Sequence, residues 1–123
     1  MWYWSFVPPK SFDAAFASIA GVSGVTGVML VSSWGLPTIV RGELTRKNCT
    51  AIAGYATSLI ASSKLAMAKP YGKLKTVSAV FDGIQISITI LSSGLLIFCW
   101  ESGVTGAVAR SQKWANSMSR LEK

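Results

Sequence analysis

Residues 83–100, GIQISITILSSGLLIFCW, carry no charged side chain. Two readings compete for them. From Ile84 to Ile90 every second residue is isoleucine, the alternation of a half-buried strand. Wound as a helix, the same stretch gathers Ile84, Ile88, Leu91, Leu95 and Phe98 on one face, with Asp82, Gln85, Thr89 and Ser92 on another. Length favours the helix. A hydrocarbon core about 30 Å thick takes roughly 20 mostly apolar helical residues, and a membrane barrel needs more strands than one such stretch supplies. The expectation is a membrane-spanning helix over 77–100.

The chain repeats this pattern upstream. Between Asp13 and Arg41 it runs 27 residues without a charge, and residues 48–63 are uncharged again. Hydrophobic residues make up 50% of the 123 positions, charged residues 14%, and the mean hydropathy is +0.43. Soluble domains carry about 25% charged residues, so the deficit agrees with a membrane chain. The expected fold is an all-α integral membrane protein. One membrane-embedded unit, 1–123, would hold three transmembrane helices over 14–34, 49–67 and 77–100, short basic connections and a short amphipathic C-terminal tail.

The first two spans read as packing surfaces. Gly21, Gly24 and Gly27 recur among small residues spaced four apart, a spacing that lets helix backbones approach closely in lipid. On this reading Gly24→Leu releases the chain from its assembly and leaves insertion intact. Asp13 suits the N-cap of the first span, and Trp34-Gly35-Leu36-Pro37 would end it. In the second span Gly54, Ser58 and Ser62 form a small-residue face with few strongly apolar neighbours. Such a helix gains little from lipid and should be enclosed by other helices.

Charge is concentrated in the connections. The net charge is +7, and Lys64, Lys69, Lys73 and Lys75 surround Pro70 and Gly72 without an acid among them. They are candidate contacts for lipid headgroups, each worth about 1 kcal/mol near an anionic surface, or an ordinary solvated turn. Asp82 is the one acid inside an expected span, read as a buried or interfacial group paired with a lysine or a partner. Lys and Arg divide evenly between the two sides, so orientation is left open. Basic patches interleaved with aromatics are lacking, and a nucleic-acid partner is not expected.

Near the start, Trp2, Tyr3, Trp4, Phe6 and Phe12 surround Pro8-Pro9. Such rings suit the headgroup layer or a neighbouring subunit. The segment does not read as a removable leader, because the apolar stretch after it is too long and ends without a good cleavage site. Ser23–Gly27 and Ser102–Gly106 share the sequence Ser-Gly-Val-Thr-Gly, taken as coincidence in a chain rich in serine and glycine.

The chain is chemically quiet. It contains no histidine and two cysteines, Cys49 and Cys99, which removes the commonest acid–base residue and leaves too few ligands for a zinc site. If the second and third spans formed a hairpin, both thiols would lie on one side, where free thiols or a disulfide are conceivable. No nucleophile–base pair or phosphate-binding glycine loop is present. No catalytic, metal or cofactor site is expected, with bound phospholipid the one possible small molecule.

These observations lead to a non-catalytic accessory transmembrane subunit of a large energy-transducing complex. A respiratory complex or ATP synthase of the mitochondrial inner membrane fits best, with other membrane subunits and anionic lipids as partners. The alternatives are a peripheral subunit of a photosynthetic complex and a homo-oligomeric pore or transporter.

Overall fold

The computed structural model describes residues 9–42 and 47–119, with side chains placed for 14–42, 47–63 and 71–119. Its elements run α1 (Pro9–Ala20), β1 (Val25–Ser32), β2 (Pro37–Arg41), α2 (Cys49–Tyr71), β3 (Thr76–Val80), β4 (Ile84–Leu91), β5 (Gly94–Glu101) and α3 (Ala107–Ser119). The strands form one antiparallel sheet in the order β2-β1-β5-β4-β3.

Residues 84–101 are a hairpin. β4 and β5 pair from Ile84↔Glu101 to Leu91↔Gly94, with Ser92 and Ser93 at the turn. β1 lies along the other side of β5, with Val28 opposite Phe98 and Met29 opposite Ile97. Helices cover both faces of this centre. On one face Leu96, Phe98 and Trp100 of β5 meet Val28 and Leu30 of β1, Phe16 and Ile19 of α1, and Met118 of α3. On the other, Ile97 and Cys99 meet Met29, Val31, Ile86 and Ile88 under Ala53, Ala56 and Ile60 of α2.

Burial on both faces explains the sequence. Such strands lose the polar half of the usual alternation and read as near-continuous apolar runs. Each fully buried large side chain contributes about 1.5–3 kcal/mol, so neither face favours a polar residue. Uncharged turns then join neighbouring strands into stretches of helix length. The expected span 14–34 is thus the end of α1 followed by β1, and 77–100 is β3, β4 and most of β5. Only 49–67 lies in a helix throughout, and one side of that helix packs on the sheet. The all-α membrane fold is therefore corrected to a three-layer α/β arrangement. Among the described residues, no helix is long and apolar enough to cross a membrane.

The helices follow from their local sequences. Pro9 opens α1, where its missing N–H is harmless, and Asp13 lies inside the helix rather than at its cap. α2 links the two edge strands by crossing the sheet. Its 23 residues span about 34 Å at 1.5 Å per residue, ample for strands about 4.8 Å apart. Alanines at 53 and 56 let it approach closely. The tail does contain a helix, α3, whose buried residues Ala107, Ser111, Ala115 and Met118 make a single stripe.

Candidate interaction surface

The small-residue face of α2 points away from the sheet. Gly54, Ser58 and Ser62 are exposed, and a Cβ on Gly54 would meet nothing within 4 Å. Among the described residues, the expected enclosure by other helices is not found: one side of α2 is buried by β-strands and the other is exposed. At its rim Tyr55 packs edge-on against Phe81 with ring centroids 5.6 Å apart. Phe81 follows β3, whose last residue, Val80, is 72% exposed.

β3 is an edge strand. Lys75 O accepts from Ile90 N at 2.9 Å, and Phe81 N donates to Ile84 O at 2.8 Å. Antiparallel alternation then turns odd-numbered β3 residues towards β4 and leaves the backbone groups of Thr76, Ser78 and Val80 on the open side. Unpaired strand groups of this kind are a template for another strand.

The turn between β1 and β2 is another exposed apolar feature. Ser32 Oγ accepts from Trp34 N and Leu36 N, both at 3.3 Å. Gly35 N donates to Ser32 O at 2.9 Å, and Ser32 N donates to Leu36 O at 2.8 Å. This organised turn presents Trp34 and Leu36, 87% and 64% exposed. The residues read as a helix stop are a hairpin turn instead.

Other candidate residues are dispersed. Gly21 follows α1, Gly24 lies in the turn before β1, and Gly27 is buried in β1. They share no helix face, because the chain changes from helix to strand between them. Lys73 and Lys75 are exposed in the link from α2 to β3, whereas the side chains of Lys64 and Lys69 lie outside the described residues. Asp82 is exposed in the β3–β4 turn, at the far end of β3 from Lys75, and not inside a buried span. Cys49 and Cys99 are not joined by a disulfide, and both lie within the α2-side core. Trp2, Tyr3, Trp4 and Phe6 lie outside the described residues, as does the side chain of Phe12. Among the described residues, no group of three or more His, Cys, Asp or Glu could hold a metal.

One cluster escaped the sequence reading. Trp100 and Trp114 stack with centroids 5.3 Å apart and planes within 6°. The Arg110 guanidinium carbon lies 5.0 Å from the Trp100 ring centroid and 5.4 Å from that of Trp114. Arg110 and Trp114 are one helical turn apart, a spacing that brings side chains together. That spacing was the available signal.

No protein-family model matches the sequence, and no curated protein matches it. Solved structures match almost its full length. A Roadblock/LC7 domain from Streptomyces avermitilis superposes with a TM-score of 0.67 at 17% identity, covering 89% of this chain and 90% of that one. Myxococcus xanthus MglB gives a TM-score of 0.74 at 16% identity, with 92% and 95% covered. An MglB with a tetrameric arrangement gives 0.67 at 11%, with 99% and 93% covered. The chain has a Roadblock/LC7 fold.

At these identities the likeness is one of fold. It overturns the membrane-subunit reading, because the sheet takes its strands from two of the three expected spans, 14–34 and 77–100, and the third, 49–67, is a helix packed on that sheet. The respiratory-complex and ATP-synthase assignment rested on those spans. So did the photosynthetic and pore-forming alternatives, the mitochondrial inner-membrane location, and membrane subunits and anionic lipids as partners. All are withdrawn with them.

Proposed function

We propose that this chain is a regulatory scaffold rather than a catalyst, a pair of identical copies that together engage a small GTPase. The observation that carries the pairing is the continuity of two open features. The exposed face of α2 at Gly54, Tyr55, Ser58 and Ser62 meets the β3 edge through the Tyr55–Phe81 contact. Two copies related by a twofold axis would present the same patch to each other. β3 pairing with its twin would satisfy the outward groups of Thr76, Ser78 and Val80, while the small residues let the two α2 helices approach. A tetrameric arrangement of an MglB with this fold supports assembly from such copies. The partner class rests on the fold shared with the Roadblock/LC7 and MglB structures.

Sedimentation equilibrium tests the pairing. The wild-type chain should have about twice its 13.1 kDa mass. Ser78→Pro removes an outward N–H and leaves the β4 ladder intact, so this variant should sediment as a folded monomer. A monomeric wild type, or an Ser78→Pro variant that still pairs, would refute the proposed interface. The partner class is tested separately, by whether the pair changes the GTP hydrolysis rate of small GTPases from the same organism.

A further inference from the structure

A cleft of about 840 Å³ opens where α2 leads into β3 and the C-terminal half of α3 passes over β4. Its lining includes Ile90 from the α2 side of the sheet, and Leu91 and Ala115 from the α3 side. Gln112 and Asn116, one turn apart on α3, line one wall, and Lys73 and Lys75 line the other. Both lysines are exposed, and Tyr71 beside them is 77% exposed. None of the described residues lining the cleft is acidic. Asp82 and Glu101, the acids with described side chains, lie at the opposite end of the sheet, beyond Val80 and opposite Ile84.

We infer that this cleft binds an acidic, partly apolar peptide segment of a partner protein. The chemistry of the walls selects this occupant. Two ammonium groups with no carboxylate among the described lining residues attract negative side chains, and this complementarity governs specificity and association rate. The amides of Gln112 and Asn116 both donate and accept, so they can hold an extended backbone whose N–H and C=O groups both need partners. The apolar lining from Ile90, Leu91 and Ala115 takes an apolar side chain between the acids. The cleft adjoins the proposed pairing face at Thr76, which lines it, whereas Gly54 and Ser58 on the outer face of α2 do not line it.

Fluorescence anisotropy with a short fluorescein-labelled peptide of glutamate and leucine tests the inference on the whole chain. The peptide should bind saturably and more weakly as salt rises. Lys73→Glu with Lys75→Glu should weaken binding about tenfold or more. The charge-matched pair Lys47→Glu with Lys113→Glu, both exposed and outside the cleft, should weaken it far less. Asn116→Leu, which keeps the charge and removes the amide, should also weaken it. No saturable binding, equal losses in the two charge-reversed variants, or tighter binding of a single-stranded oligonucleotide at the same lysines would overturn the inference. Circular dichroism of each variant separates lost binding from lost fold.

Discussion

Trp100 donates its indole N–H to the hydroxyl of Ser111 at 2.7 Å, and both residues are fully buried. This bond joins β5, the middle strand of the sheet, to α3. The Trp114 ring and the Arg110 guanidinium stack against the same indole. The bond leaves neither polar group stranded in the core. Ser111→Ala removes the acceptor and strands the N–H, which should cost about 1–3 kcal/mol. A lowered urea midpoint with an unchanged slope is the expected result.

Gly94 begins β5 with φ +151°, opposite Ser32, and a Cβ there would collide with the Val31 carbonyl oxygen. Backbone opposes backbone at this point, so no rotamer change relieves the contact. Gly94→Ala should cost about 3 kcal/mol or more, read as a large fall in melting temperature. Gly24 has φ +92°, and its added Cβ would lie 3.1 Å from Val104 Cγ2. Gly24→Leu should therefore lower stability in the isolated chain. The sequence reading expected it to break only an assembly contact.

Ser87 is 1% exposed in β4, and its hydroxyl has no hydrogen-bond partner. A buried hydroxyl without a partner is a net cost. Ser87→Ala should leave stability unchanged or raise it by about 1 kcal/mol, in contrast to the loss at Ser111. Parallel urea titrations of the two alanine variants check the difference.

Gly54 separates helix stability from pairing. Its site is open, so Gly54→Ala should stabilise the folded chain by about 1 kcal/mol through helix propensity. Gly54→Arg keeps much of that gain but places a bulky charge on the proposed twofold face. It should raise the dissociation constant of the pair about tenfold or more, measured by sedimentation across a dilution series.

The sequence revealed the helices more readily than the sheet. Residues 49–67 read as helix from their length and small-residue face and lie within α2, and the tail read as amphipathic contains α3. The isoleucine alternation from Ile84 to Ile90 was a genuine strand signal. It lost to the length of the uncharged run, although Ser92-Ser93-Gly94 between the two apolar segments is itself a turn signal. β1 showed no alternation, since Val28 and Leu30 are buried under one layer of helices and Met29 and Val31 under the other. Hydropathy alone does not distinguish burial in lipid from burial between two helical layers. Lys73 and Lys75 were singled out by their acid-free surroundings. The cleft they share with Gln112 and Asn116 depends on α3 folding back over β4, about forty residues later in the chain, a contact that local patterning does not encode.

The account depends most on residues 84–101 being a hairpin between two helical layers. Nuclear Overhauser spectroscopy on the isotope-labelled chain in detergent-free buffer tests this directly. The register predicts close Hα–Hα contacts between Ile88 and Ile97 and between Ile86 and Cys99. Continuous sequential amide–amide contacts through Ser92 and Ser93, with i to i+3 contacts on both sides, would instead show one long helix and contradict the fold and the surfaces built on it.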